Sequence, residues 1–290
     1  MENSLGKMTV TVLGTRGSVP VCGEKYRIFG SATSCIRVVA HDSGRDEGSS
    51  AKESGKGDAA QVEELYLDAG NGIVGAEALP HSHISILFTH MHIDHLLGLP
   101  FFKPLSEKGR RLDMYAAPRE GLSISEAMDR LFSPPYWPLG IGAYPADTYM
   151  HYLDKSFDLG AVHIDTLEVQ HPGGSSAFRL SFKDMSLVYL TDFEHTGADM
   201  EKVRDFVKDT DLLIYDGQYS LEEYDKCRGY GHSVPEVALE LLSGAGFKKL
   251  LFTHHAPDHD DSFLLKWEEK IKKSCPIASF ARAGEVIEIG

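Results

Sequence analysis

Ile84-Ser-Ile-Leu-Phe-Thr89 runs directly into His90-Met-His92-Ile-Asp94-His95, and the reading of the whole chain turns on this junction. The first six residues are apolar enough for a strand covered on both faces. The next six put three imidazoles and a carboxylate into one turn, ahead of an apolar, helical-looking Leu96-Leu-Gly-Leu-Pro100. That is metal-ligand chemistry at high density. His90 and His92, two residues apart, can converge on one ion, while Asp94 and His95 can face a neighbouring one. The plainer alternative is a solvated histidine-rich loop that happens to follow a strand.

Working outward, β-type runs at Met8 to Gly14, Cys35 to Ala40 and Glu64 to Leu67 read as an opening meander. Residues 41–61, rich in Asp, Ser, Gly and Lys, bury too little to offset their ordering entropy and predict a mobile insertion in one hairpin. Lengthening such a turn is thermodynamically mild, so it marks no domain boundary. Downstream, strand patterns near Leu112 to Ala116, Val162 to Gln170, Ala177 to Phe182, Ser186 to Thr191, Leu212 to Tyr215, Lys249 to Thr253 and Glu285 to Ile289 are interspersed with helices. The helices fall at Ser123 to Phe132, Asp199 to Lys208, Val234 to Ser243 and Ser262 to Lys273. Some strands are wholly apolar and others alternate strictly, which predicts an α/β chain of two packed mixed sheets flanked by helices, in one domain over 1–290. The Pro- and aromatic-rich loop from Ser133 to Tyr149 is either a substrate-facing lid or a packed crossover.

With 42% hydrophobic and 25% charged residues among 290, the composition supports a sizeable core and excludes disordered or fibrous classes. No run of about 18 apolar residues occurs, and the chain enters its first strand without a hydrophobic signal core, so no membrane partner and a cytoplasmic location are expected. Four scattered cysteines, Cys22, Cys35, Cys227 and Cys275, offer neither a disulfide framework nor a thiolate metal site. The formal charge of −14 argues against a broad polyanion-binding surface.

Other segments join the histidine motif. They are Leu13-Gly-Thr-Arg-Gly-Ser-Val-Pro20, Leu67-Asp-Ala-Gly70, and three more strand endings, Val169-Gln-His171-Pro-Gly-Gly174, Tyr189-Leu-Thr-Asp192 and Leu251-Phe-Thr-His254. Together they make the chain resemble the metallo-β-lactamase fold superfamily over nearly its whole length. The resemblance implies a four-layer αββα sandwich and two divalent cations. His90, His92 and His171 would bind one, Asp94, His95 and His254 the other, with Asp192 bridging them beside a shared water or hydroxide. Asp68 would hold a ligand imidazole without ligating. Donors limited to nitrogen and oxygen suit zinc, with manganese or iron as alternatives. Two such ions roughly 3.5 to 4 Å apart acidify their bridging water and clamp both oxygens of an in-line displacement, which is hydrolytic chemistry. The bridging Asp is a feature of phosphodiesterase and thioesterase members, whereas true β-lactamases of this fold lack it.

Gly231-His232-Ser233-Val-Pro-Glu236 points towards phosphate. As plain sequence it predicts a helix start, with Ser233 as N-cap and Glu236 completing a capping box. It also resembles the stretch that ribonuclease Z and related phosphodiesterases use to contact the scissile phosphate, which makes His232 the general-acid candidate. Asp216 stands where those proteins carry a Glu that orients this His. No basic arm for gripping transfer RNA is evident, and residues 133–149 contain no Lys or Arg. A small phosphodiester such as a cyclic nucleotide is therefore the expected substrate. The alternatives are a ribonuclease Z-like endonuclease processing transfer RNA 3′ ends, a thioester or lactone hydrolase, and a non-catalytic metal-containing ligand-binding module. Paired assembly into a homodimer is common for such folds, and no stretch specifies an interface. The polar run His255 to Asp261 reads as a solvated loop capping the next helix, and His81, His83, His151 and His163 as structural or surface residues.

Overall fold

The computed structural model describes residues 6–42, 62–80, 83–195 and 200–290. Of the insertion predicted at 41–61, all but His41 and Asp42 lies outside the described residues, as does His81.

The alternating opening segments form the expected antiparallel meander. In it β1 (Lys7–Gly14) pairs with β2 (Cys35–His41), and β2 with β3 (Val62–Leu67), placing Ile36 opposite Leu67 and His41 opposite Val62. The sheet then turns parallel through β4 (Ile84–Leu87), β5 (Arg111–Ala116) and β6 (Asp147–Tyr152). A second sheet begins as antiparallel hairpins, β7 (Ser156–Leu159), β8 (Val162–Val169), β9 (Ser175–Phe182) and β10 (Met185–Leu190). It continues in parallel with β11 (Leu212–Asp216), β12 (Lys249–Thr253) and β13 (Ala278–Phe280). The chain returns to the first sheet as β14 (Val286–Ile289), antiparallel to β1. Among the described residues each sheet has seven strands.

Inward side chains of both sheets, among them Val10, Val38, Leu65, Phe178, Leu180 and Ile214, share one core. The outer face of the second sheet is covered by α2 (Met200–Phe206), α4 (Pro235–Leu241) and α5 (Asp261–Ser274), through Val203, Ala238, Leu264 and Ile271. On the first sheet the cover is thinner. It consists of α1 (Ile124–Leu131) and a series of 3-10 turns that include the expected helical segment around Leu99, packing Leu96, Leu99, Phe102 and Met128 onto β4 and β5. The layers are therefore α/β/β/α, and α3 (Leu221–Cys227) lies outside them with no buried residue. Among the described residues no helix is long and apolar enough to cross a membrane.

β3 and β4 run the same way, as do β10, β11 and β12, while β8 is antiparallel to β9 and β9 to β10, which sets β8 parallel to β10. Within each sheet the carboxyl ends of these strands thus lie along one edge. Every strand ending singled out in the sequence falls there.

Glu268 fixes α5 to this frame. Its buried carboxylate accepts from the Phe280 N–H at 2.9 Å and from both terminal nitrogens of Arg282 at 2.8 and 2.9 Å, with Lys272 at 3.1 Å. Burial alone would raise its pKa, but these donors outweigh it and hold the group at about 2 against an ordinary 4.5. A depressed carboxylate contributes stability that is complete above its unfolded pKa and lost as the pH falls towards the folded one, here about 3 kcal/mol. Thermal unfolding of the metal-free protein should therefore show a Tm gap between native and Glu268→Gln chains that is widest above about pH 5 and closes towards pH 2. A gap independent of pH would remove this assignment.

Candidate metal centre

The strand endings converge. His90 and His95 follow β4, His171 follows β8, Asp192 follows β10, and His254 follows β12. Asp192 lies in the middle. Its Oδ1 is 3.9 Å from His90 Nε2, 3.8 Å from His171 Nε2 and 3.4 Å from His254 Nε2, and its Oδ2 is 3.2 Å from His95 Nε2. Asp94 Oδ2 stands 3.4 Å from His95 Nε2 and 3.3 Å from His254 Nε2, while His92 Nδ1 is 3.2 Å from His171 Nε2. Of the five groups of three donors that result among the described residues, two reproduce the expected sets, His90 with His92 and His171, and Asp94 with His95 and His254, and two others include His232. Among the described residues, the clusters of three such donors within 4.8 Å of one another all lie in this region.

The donor set fits cations. Nitrogen or oxygen ligands at about 2.1 Å in a tetrahedral shell stand about 3.4 Å apart, close to the spacings found. Nε2 of His90 and of His95 are buried without any hydrogen-bond partner, a costly state for a polar atom unless an ion completes it. The opposite nitrogens are engaged: His90 Nδ1 with Thr89 Oγ1 at 3.0 Å, His95 Nδ1 with Asp68 Oδ2 at 2.8 Å, His171 Nδ1 with the Gly231 carbonyl at 2.8 Å, and His254 Nδ1 with Gln218 Oε1 at 2.6 Å. Holding Nδ1 fixes each ring and turns Nε2 towards the centre. Asp68 is itself held by the Thr89 N–H and the Tyr189 hydroxyl at 2.8 and 3.0 Å, as expected of a residue that orients a ligand.

Electrostatics divides the two sets. Burial, reinforced by neighbouring imidazoles, pushes His90, His92 and His171 below the ordinary histidine range, so their lone pairs are free. His95 and His254 are raised despite burial, because Asp192 and further carboxylates surround them. The imidazoles in turn hold Asp94 and Asp192 well below the carboxylate range against the effect of burial. A cation entering the second set must displace protons.

Local backbone explains how the side chains reach the centre. Asp68, Asp192 and His254 each break from a strand with φ of 61°, 55° and 64°. The left-handed region is uncommon for residues other than glycine and turns the side chain off the strand direction. The Thr15-Arg-Gly-Ser18 loop is pinned by the buried Arg16, which donates to the carbonyls of Gly30 and His259 at 2.7 Å. Gly17 then passes so close to His254 that an added Cβ would lie 2.4 Å from Nδ1, and the Ser18 N–H donates to Asp94 Oδ2 at 2.8 Å.

His232 joins the site from the other side. With Ser18, His92, Ile93, Asp94, Asp192 and His254 it lines a cavity of about 300 Å³. Its Nδ1 is 3.0 Å from Asp216 Oδ2, and Asp216 also accepts from the N–H groups of Asp192 and Ser233 at 3.0 and 2.8 Å. The predicted capping box is absent. Val234 is the N-cap of α4, Ser233 Oγ donates to the Phe193 carbonyl, and Glu236 Oε1 accepts from Trp267 Nε1 at 2.9 Å. Tertiary partners outbid the local ones. The polar run is also not the solvated loop expected: His255 and His259 are buried, His259 Nε2 meets Glu223 at 2.9 Å, and only Asp260 caps α5, through the Phe263 N–H. His83 and His151 both contact Asp113, and His163 contacts Asp158, away from the centre.

Gln218 and Glu194 join the site without any pattern in the sequence to announce them, and Ser18, within the quoted Leu13 to Pro20 segment, gains its role only from the fold. Glu194 accepts from the Gly229 and Gly231 N–H groups at 2.8 and 3.1 Å and from the Tyr224 hydroxyl at 3.0 Å, bracing the loop that carries His232. Gly231 is required there, since a Cβ would sit 2.2 Å from His171 Nδ1 and its φ is 86°.

A two-sheet sandwich gathering these donors at one edge defines the class, a metal-dependent hydrolase of the metallo-β-lactamase fold. The chain belongs to the Beta-lactamase superfamily domain family, whose model matches residues 64–255. It is similar to ribonuclease Z of Exiguobacterium sibiricum, at 23% identity over 216 residues that cover 60% of this chain and 72% of that protein. The metallo-beta-lactamase fold protein YhfI from Bacillus subtilis superposes with a TM-score of 0.65 at 20% identity, covering 98% of this chain and all of the other. A diphosphatase from the PhnP family superposes at 0.63 and 19% identity, with 98% of each chain covered.

Proposed function

We propose that the chain is a phosphodiesterase with a dinuclear metal site, acting in the cytoplasm on a small phosphodiester such as a cyclic nucleotide. His90, His92 and His171 would hold one cation and Asp94, His95 and His254 the other, with Asp192 between them and zinc the metal best suited to the donors. Bound there, the cations supply a nucleophilic hydroxide at neutral pH and Lewis-acid stabilisation of phosphoryl oxygens.

The observation that carries the reading is His232, on the wall of the same cavity and backed by Asp216 at 3.0 Å. An alkoxide leaving from phosphorus needs a proton, and an imidazole held through Nδ1 presents Nε2 to deliver it. Sequence similarity to a ribonuclease Z supports phosphodiester chemistry, while the charge of −14 and a 133–149 loop without Lys or Arg support a small substrate over folded RNA.

The test is a panel of bis(p-nitrophenyl) phosphate, cyclic nucleotides, a transfer RNA precursor and thioesters, run on purified protein alongside elemental analysis. Two metal equivalents with turnover of the small phosphodiesters are expected. Turnover of a thioester with every phosphodiester inert would end this assignment, and preferential cleavage of the precursor would transfer it to a nuclease.

A further inference from the structure

We infer that the substrate is an open-chain phosphodiester with an apolar ester group, aromatic or long-chain aliphatic, seated in a second pocket beside the metal centre; this rests on the phosphodiesterase reading above and narrows it away from cyclic nucleotides. The pocket, about 420 Å³, is walled by Met91, Ile93, Leu96, Ala127, Leu131 and Tyr136. Its size falls in the range of small-molecule sites, where a mostly apolar lining is the rule.

Ile93 joins the two spaces, lining both this pocket and the cavity that holds His232. Along the ligand turn the side chains divide: His92 faces the cation region, while Met91 and Ile93 face the pocket. Ile93 is 53% exposed, so a branched apolar residue inside the metal motif is left unburied by folding. Packing accounts for only part of the opposite wall. A capping box between Ser123 and Glu126 fixes the start of α1, whose Ile124 and Met128 enter the core. Ala127 and Leu131, one turn apart, line the pocket, Leu131 while also resting against that core. Tyr136, 78% exposed, supplies the remaining ring from a loop without Lys or Arg. Arg130 is the charged side chain among the lining residues, and its guanidinium can stack on an aromatic group. An apolar recess sharing a wall with the reacting centre fits an ester group attached to the phosphorus held there.

Phosphinates, which have no cleavable ester, test this by calorimetry on the zinc-loaded full chain. Methyl(1-naphthylmethyl)phosphinate should bind at least about tenfold more tightly than dimethylphosphinate, the discrimination expected of a hydrophobic pocket. Ala127→Trp, which fills the pocket, and Leu131→Gln, which makes it polar, should each bring the ratio close to one. Equal affinities in the native protein would overturn the inference, as would a preference that survives both substitutions. If the preference appears and is lost as stated while no phosphodiester is hydrolysed, the apolar site stands and the phosphodiesterase reading fails. If phosphodiesters turn over and the affinities are equal, the reverse holds. A native chain that dimerises and becomes monomeric on Tyr136→Ser, with equal affinities, would give the apolar face to a second copy instead.

Discussion

Asp192→Asn is expected to reduce bound metal from two equivalents to one or fewer and to lower kcat/KM by about 10³-fold or more, the scale of removing a principal electrostatic group from a reacting centre. The geometry gives this substitution its force. Both carboxylate oxygens face Nε2 atoms, and the four imidazoles reached by them come from both donor sets. An amide keeps one oxygen and turns an N–H₂ donor towards the centre, where no acceptor is on offer except the ligands themselves. The fold should be spared, because Asn tolerates the left-handed backbone at this position as well as Asp does. Plasma mass spectrometry and initial rates at saturating zinc measure the two effects together. Full metal content with native rates would mean that Asp192 is not part of the centre.

His232→Ala is expected to lower kcat by about 10² to 10⁴-fold, the usual contribution of a positioned acid, while leaving two metals bound. Metal content is the discriminating quantity. His232 lies within reach of Asp192 and His171 as well as Asp216, so a ligand role predicts loss of a cation whereas a proton-donor role does not. The leaving group gives a second signature. A phenoxide that departs without protonation should mask much of the defect, and an alkoxide from a nucleotide should display it fully. Asp216→Asn should reproduce a fraction of the loss, since it keeps a hydrogen-bonding group at His232 Nδ1 but removes the charge that orients it. An equal defect for both leaving groups would exclude His232 as the acid.

Much of this architecture is legible in the amino-acid sequence. His90 to His95, Asp192 and His254 each end an apolar run and His171 an alternating one, and such strands leave a clear hydrophobic trace. The strands left unread, β6, β7 and β13, all lie at sheet edges. β6, with Tyr149 and Tyr152 exposed, carries only a weak inward pattern, and β13 is three residues long. The capping box at Ser233 failed for a different reason: local rules assume the side chains have no better partner, and here the Phe193 carbonyl took the Ser233 hydroxyl and Trp267 the Glu236 carboxylate. Gln218 and Glu194 had no local signal at all, and Ser18 lay within the Leu13 to Pro20 segment without a role of its own. Their roles come from proximity across distant segments, such as Ser18 to Asp94 and Gln218 to His254, and single residues outside a motif do not advertise such meetings.

The three left-handed positions at Asp68, Asp192 and His254 restrict what this scaffold can become. Each costs about 1 to 3 kcal/mol in a non-glycine residue, and β-branched side chains are all but barred there. The alphabet open to them is short: Gly, Asn, Asp and His. Met91 and Ile93 lie outside that backbone region and accept any side chain their neighbours leave room for. Laboratory evolution towards new substrates should therefore accumulate changes at 91 and 93 while the three bent positions stay frozen, dividing the molecule into an invariant engine and an interchangeable mouth.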